Sequence, residues 1–256
     1  MSATSPMASE VVVRKCETLE EFHSCVDLQR QIWGEADLEV EPVTLFVVAA
    51  QTGGQVLGAF DGARLVGYTL ALAALRNAAP YLHSHMTGVL PAYRDRGVGR
   101  SLKLFQREEA LGRGIRLIEW TFDPLETRNA RFNMNRLGAV SRRYLPNLYG
   151  VTSSPLHRGL PTDRLVAEWF LDSAHVLATL AGTPAEEALH QERAAASIAL
   201  PCELDRWKRE SPGQLRDLQG KIRAEFTDWF ARGYAAVAIR EDAAGAAYVL
   251  TPWSDF

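Results

Sequence analysis

Three arginines and two glycines crowd one short run, Arg94-Asp95-Arg96-Gly97-Val98-Gly99-Arg100, and Ser101 and Leu102 carry it into an apolar periodic segment. Such a run can hold phosphate. Glycines at positions 97 and 99 remove the Cβ atoms that would block close approach. The first amides of the following helix present free N–H groups and a partial positive charge, and Arg94, Arg96 and Arg100 add full charges around the same point. A pyrophosphate is the guest this pattern suits. It is neither of two common nucleotide loops: Leu102 stands where a dinucleotide fingerprint needs its third glycine, and no Gly-Lys-Ser or Gly-Lys-Thr follows.

Proton chemistry has three candidates. His83 and His85 stand two apart in a strand-like segment and so share a face. Each is either a proton acceptor or a hydrogen-bonded core histidine. Glu119 lies between Ile118 and Trp120 on another strand-like run; facing inward it is a base with a raised pKa, facing outward a solvated carboxylate. The three could also share a metal, but the expectation is that the protein has no metal. Asp123 is read as a cap for the next helix, Tyr144 and Tyr149 as packing aromatics or acids, and Arg142 and Arg143 as anchors for a carboxylate or solvated groups.

The elements that must position these groups follow from period and punctuation. Residues 11–15 read as a strand and 19–33 as a helix, with Phe22, Val26 and Ile32 at helical spacing. Residues 55–60 and 65–74 form a hairpin about Asp61-Gly62. Residues 81–89 form a strand ended by Pro91, and 98–111 a helix stopped by Gly112 and Gly114. Strands at 117–122, 141–149 and 164–171 and a short helix at 129–137 complete a mixed α/β order. Between 141–149 and 164–171 a loop carries Pro155, Gly159 and Pro161.

The run Val89-x-Pro91-x-Tyr93-Arg94-x-x-Gly97-x-Gly99 resembles motif A of the GNAT acetyltransferases, and Asn129 to Ala139 is similar to their motif B. The resemblance implies a central mixed sheet flanked by helices, and acetyl-CoA or another acyl-CoA as co-substrate. It further implies that amides from Arg96 through Gly97, Val98, Gly99 and Arg100 to Ser101 hold the pyrophosphate, while the backbone of Thr87, Gly88 and Val89 pairs with the pantetheine arm. Asn129 is a looser carry-over as a cofactor contact. The chain departs from the family at Met134, where many members carry a tyrosine acid. His85, with His83 and Glu119, is then expected to take the proton of an amine. Backbone N–H at the bulged end of the strand, where Gly88 permits unusual geometry, would hold the oxyanion.

Composition sets the bounds. The 256 residues allow one core plus an appendage. The expected division is a tail at 1–10, an acyltransferase domain at 11–173, a linker at 174–196 and a small α/β extension at 197–256. In that extension Leu215, Leu218, Ile222, Phe226, Trp229 and Phe230 recur at helical spacing. That face must pack on the core or on a second copy, so a homodimer is one expectation. A net charge of −3 gives no general attraction for nucleic acid. No apolar run spans a membrane, and with no leader pattern a cytoplasmic protein is expected. Cys16, Cys25 and Cys202 show neither disulfide nor zinc spacing and read as structural thiols. The acceptor expected is a small amine, the alternative being a catalytically idle acyl-CoA-binding module.

Overall fold

Turn chemistry and two-residue alternation build the first half of the chain. The computed structural model of the protein describes residues 11–34, 40–150, 160–182 and 196–253, so the expected tail at 1–10 lies outside the described residues. Contacts divide the chain into two compact units, Met1–Ile115 and Arg116–Phe256.

In the first unit β1 (Val12–Lys15), β2 (Gln55–Asp61), β3 (Arg64–Arg76) and β4 (Ala79–Val89) pair antiparallel in sequence order. The β2–β3 turn falls one residue later than the sequence suggests: Asp61 pairs with Arg64, leaving Gly62 and Ala63 to turn, with Gly62 at φ 59°. The β3–β4 turn is Asn77-Ala78, both at positive φ, as a two-residue hairpin loop of matching twist requires. Helix α1 (Leu19–Trp33) starts on a reciprocal cap in which Thr18 and Glu21 each accept the other's backbone N–H. Helix α2 (Val43–Gln51) was not anticipated, because its run VTLFVVAAQ is apolar on nearly all sides and shows little helical period. Trp33 of α1 and Phe46 of α2 both meet Tyr68. The next residue back, Gly67, faces Leu102 of α3 (Val98–Gly112). The helices thus cover both faces, which is why β2 is buried along almost its whole length.

In the second unit β5 (Leu117–Phe122), β7 (Arg164–Phe170) and β6 (Tyr144–Leu145) pair antiparallel, β7 between the other two. Helix α4 (Thr127–Arg131) runs into a single π turn at Phe132–Arg136. Helix α5 (Ala174–Ala181) occupies the start of the expected linker, capped by Ser173, and residues 183–195 lie outside the described residues. It packs so closely that a Cβ on Gly138 would lie 3.0 Å from Thr179 Oγ1 and 3.1 Å from Val176 Cα. A second, small sheet has the order β8 (Ala196–Pro201), β10 (Gly245–Pro252), β9 (Tyr234–Asp242). Short helix α6 (Leu204–Glu210) and long helix α7 (Pro212–Ala231) lie between β8 and β9 in sequence.

Helix α7 buries Leu215, Leu218, Ile222 and Phe226 within its own unit. Phe226 stacks on Tyr144 at 5.7 Å and meets Tyr248 edge-on at 5.1 Å. Arg223 grips fully buried Asp163 with two hydrogen bonds of 2.8 and 2.9 Å, and Tyr144 donates to the same carboxylate. The architecture is the mixed α/β one expected, helices flanking sheet, with a second small sheet near the C-terminus.

Candidate functional site

Strand β4 carries one residue more than its partner between Ser84 and Met86. Ala71 pairs with Ser84 and Leu70 with Met86, so His85 is a bulge with no partner on β3. The bulge was expected near Gly88 and sits three residues earlier. Gly88 itself stays in register with Tyr68. Its missing Cβ has another reason, for it would lie 2.8 Å from Ile32 Cδ1 and 2.9 Å from Trp33 Cη2. Gly88 lets α1 lie on the strand.

The bulge turns His85 to a partner that sequence alone did not reveal. His85 Nε2 is 2.9 Å from Glu41 Oε1, with both side chains partly exposed. Glu41 is in turn placed by its backbone, whose N–H and C=O both bond the side chain of buried Gln29. The ring of His83 is 6.2 Å from that of His85, so the two histidines do neighbour each other. Among the described residues no three His, Cys, Asp or Glu are grouped to hold a metal ion.

After β4 the chain makes a tight 3-10 turn at Pro91–Tyr93. Tyr93 donates to Asp61 at 2.6 Å, and that bond raises the Tyr93 pKa. Arg94 Nε donates to Val89 O, so one of the expected phosphate arginines also pins the turn. Asp95 at φ 59° and Gly97 at φ 82° reverse the chain into α3, which has no side-chain cap at Gly97. Ser101 N–H is the first amide to bond back, to Gly97 O. The amides of Val98, Gly99 and Arg100 precede that bond and form the open end of the helix. A Cβ on Gly97 would meet nothing within 4 Å, and one on Gly99 only Val89 Cγ2 at 3.9 Å. The left-handed backbone accounts for glycine at 97, whereas at 99 internal packing does not demand it and the missing Cβ leaves room for an anion against the amides.

Beneath the turn α3 holds a buried ammonium. Lys103 Nζ donates to Ser84 Oγ at 3.0 Å and to Gln106 Oε1 at 2.8 Å, tying the helix to the residue before the bulge. Loss of water pushes the Lys103 pKa from 10.5 down to about 7. Thr69 joins Ser84, Thr87 and the Met86 carbonyl in the same polar seam.

The remaining candidates lie in the second unit. Glu119 faces inward and is buried, but Arg143 sits 2.7 Å from it, and Arg142 takes Glu168, its cross-strand neighbour, with two 2.8 Å bonds. The Glu119 carboxylate is thus already engaged by a guanidinium. The same pairs engage both arginines read as substrate anchors. Asp123 accepts from Leu125 N–H in a local turn and does not cap the next helix as expected, because α4 starts only at Thr127, after an N-cap at Glu126 that has no side-chain cap bond. Tyr149 shares a hydrogen bond with Thr121, and Asn129 is exposed on α4.

A family model described as the acetyltransferase (GNAT) family matches residues 17–138. Residues 17–138 are a GNAT acetyltransferase domain. Solved structures agree on the fold. The ribosomal-protein-S18-alanine N-acetyltransferase from Escherichia coli is 13% identical, with a TM-score of 0.52 over 64% of this chain and 96% of that one. A putative GNAT acetyltransferase from Desulfovibrio desulfuricans gives 14%, 0.52, 63% and 99%. A putative acetyltransferase from Salmonella typhimurium, solved with its cofactor acetyl-CoA, gives 15%, 0.50, 65% and 97%. No match was found among curated proteins. In this GNAT domain Met134 is buried in the π turn, where the family's tyrosine would stand. Asp61, Glu41 and Lys103 escaped sequence reading, each because its partner is distant in sequence or its burial depends on packing.

Proposed function

We propose that the protein is an acyl-CoA-dependent N-acyltransferase acting on the amine of a small metabolite. The observation that carries this is the uncapped amide end at Gly97–Ser101, which directly follows the strand bearing the bulged His85. The free amides of Val98, Gly99 and Arg100, with the Arg96 and Arg100 side chains, would hold the pyrophosphate of the donor, and the Thr87–Val89 backbone its pantetheine arm; the expected Ser101 amide is already bonded to Gly97 O. When bound, the donor supplies an activated acyl thioester. The chain supplies position and a proton acceptor. With the Nε2 proton directed to Glu41, the His85 imidazole keeps its Nδ1 lone pair for the amine proton, and the carboxylate stabilises the imidazolium that results. Backbone N–H at the bulged strand would face the developing oxyanion charge.

Calorimetric titration with acetyl-CoA tests the cradle. The parent is expected to bind, and the folded Gly97→Glu/Gly99→Glu variant to lose binding, because two carboxylates then oppose the phosphates. No binding of acetyl-, succinyl- or longer acyl-CoA by the parent ends the proposal. Turnover tests the base: His85→Ala should lower kcat about 100-fold and Glu41→Gln about tenfold, with donor affinity unchanged. Buried Met134, in place of the family's acid, favours the second reading, an idle acyl-CoA-binding module. Tight donor binding with no thiol release against any amine would decide for that reading.

A further inference from the structure

Helix α3 turns two polar side chains inward where its pattern calls for apolar ones. Its buried residues are Val98, Leu102, Lys103, Gln106 and Ala110, and a leucine or methionine at 103 or 106 would pack there without surrendering hydration. Both polar residues converge on one atom of β4. Ser84 Oγ accepts from Lys103 Nζ at 3.0 Å and donates to Gln106 Oε1 at 3.4 Å, and Lys103 also donates to that Oε1 at 2.8 Å. Three buried side chains thus close a triangle of hydrogen bonds.

The triangle holds one flank of the bulge. A bulged residue has no place in the ladder, so its neighbours must set its course. Ser84, the last residue of β4 in register before His85, is anchored to α3. Met86, the first after it, has its carbonyl bonded by Thr69 Oγ1 at 2.9 Å and its sulfur by Tyr68 OH at 3.6 Å. The course of His85 is therefore set from both sides, and it brings Nε2 to 2.9 Å from Glu41 Oε1. Moving the extra residue by one position would change which face His85 takes and turn the imidazole from that carboxylate.

We propose that Lys103 is a positioning residue for His85: by holding Ser84 Oγ it fixes the bulge and, through the bulge, the aim of the imidazole at Glu41. Its consequence for turnover rests on His85 taking the amine proton, whereas its consequence for the ring is read without any substrate. The test follows the His85 ring nitrogens by long-range ¹H–¹⁵N correlation in the full chain, without acyl donor. The pH is about 8.5, where an unperturbed imidazole is neutral and a lysine amine, charged or not, still donates. His83→Ala and His85→Ala assign the two rings, and Glu41→Ala supplies the signal of a His85 ring released from its carboxylate. The wild type is expected to show His85 as the single Nε2–H tautomer. Lys103→Met and Ser84→Ala should each move it at least halfway to the released signal, and the double variant no further than either, because both act through one hydrogen bond. Ser84→Thr, which keeps the hydroxyl, should restore the wild-type signal, and His83, in register with Leu72, should not move. Should Lys103→Met not fold, the two Ser84 variants decide, since they leave α3 intact. In turnover of acetyl-CoA against an amine panel, Lys103→Met should lower kcat about tenfold with the KM for acetyl-CoA within about twofold. A wild-type His85 signal in the folded Ser84→Ala and Lys103→Met variants overturns the assignment, as does an equal movement of His83, which would mark general loosening of β4. Ring shifts as expected in a parent that turns over no amine establish the positioning and count against the acyltransferase reading alone.

Discussion

Lys103 carries an electrostatic penalty set by its burial. Its ammonium is buried between Ser84 and Gln106, and its pKa falls from 10.5 to about 7. Between those values the unfolded chain holds a proton that the folded chain has released, so folding stability rises with pH across that window. Below about pH 7 both states are protonated and the penalty is complete. Wild-type protein is therefore expected to show a higher urea midpoint at about pH 9 than at pH 7, by the equivalent of a few kcal/mol at most. Lys103→Met should remove that rise. A midpoint that is flat with pH in the wild type would show that other charges offset the burial. The His85–Glu41 pair makes the complementary point: partly exposed and solvent-screened, it is a device for orienting an imidazole more than a source of stability.

At the scale of elements, the aromatic packing of α7 centres on one residue. Phe226 is fully buried and touches Tyr144, Phe230 and Tyr248. Phe226→Ala should cost about 3–5 kcal/mol, measured by urea unfolding of the second unit's transition. A loss under about 1 kcal/mol would mean that the stack contributes little and the helix is held elsewhere, for instance by Arg223 on Asp163. The helical spacing of Leu215, Leu218, Ile222 and Phe226 was legible in sequence. Which partner fills the face was not, since Tyr144 lies far earlier in the chain and Tyr248 on the far side of β9.

For the whole molecule, residues after 196 complete the core of the second unit. Val140, Ala235, Val237 and Val249 form one apolar cluster, Ser141 bridges Ala236, and Asn135 exchanges two hydrogen bonds with Ile239. Tyr248 donates to the Pro124 carbonyl. A chain ending at Ala181 would leave Asp163 buried without Arg223 and Tyr144 without Phe226, so it should be insoluble or lack a cooperative transition in calorimetry. A soluble truncated chain with an unchanged melting temperature would instead establish 197–256 as the separable extension that composition suggested.

Local chemistry determined a good deal by itself. The glycine turn at 97–99, the strand before it, the helix after it and the resemblance they carry all rest on backbone preferences and spacing within a short run. That information is local, and sequence holds it. The bulge at His85, the carboxylate that meets it from Glu41, the burial of Lys103 and the Arg143 contact that engages Glu119 depended on strand register and on helices brought from elsewhere in the chain. One extra residue on β4 decides where His85 points, and register is fixed only when the hydrophobic faces of paired strands and their helices are buried together. Tertiary packing decided that step, because a one-residue shift changes a side chain's partners without changing the sequence pattern that encodes the strand.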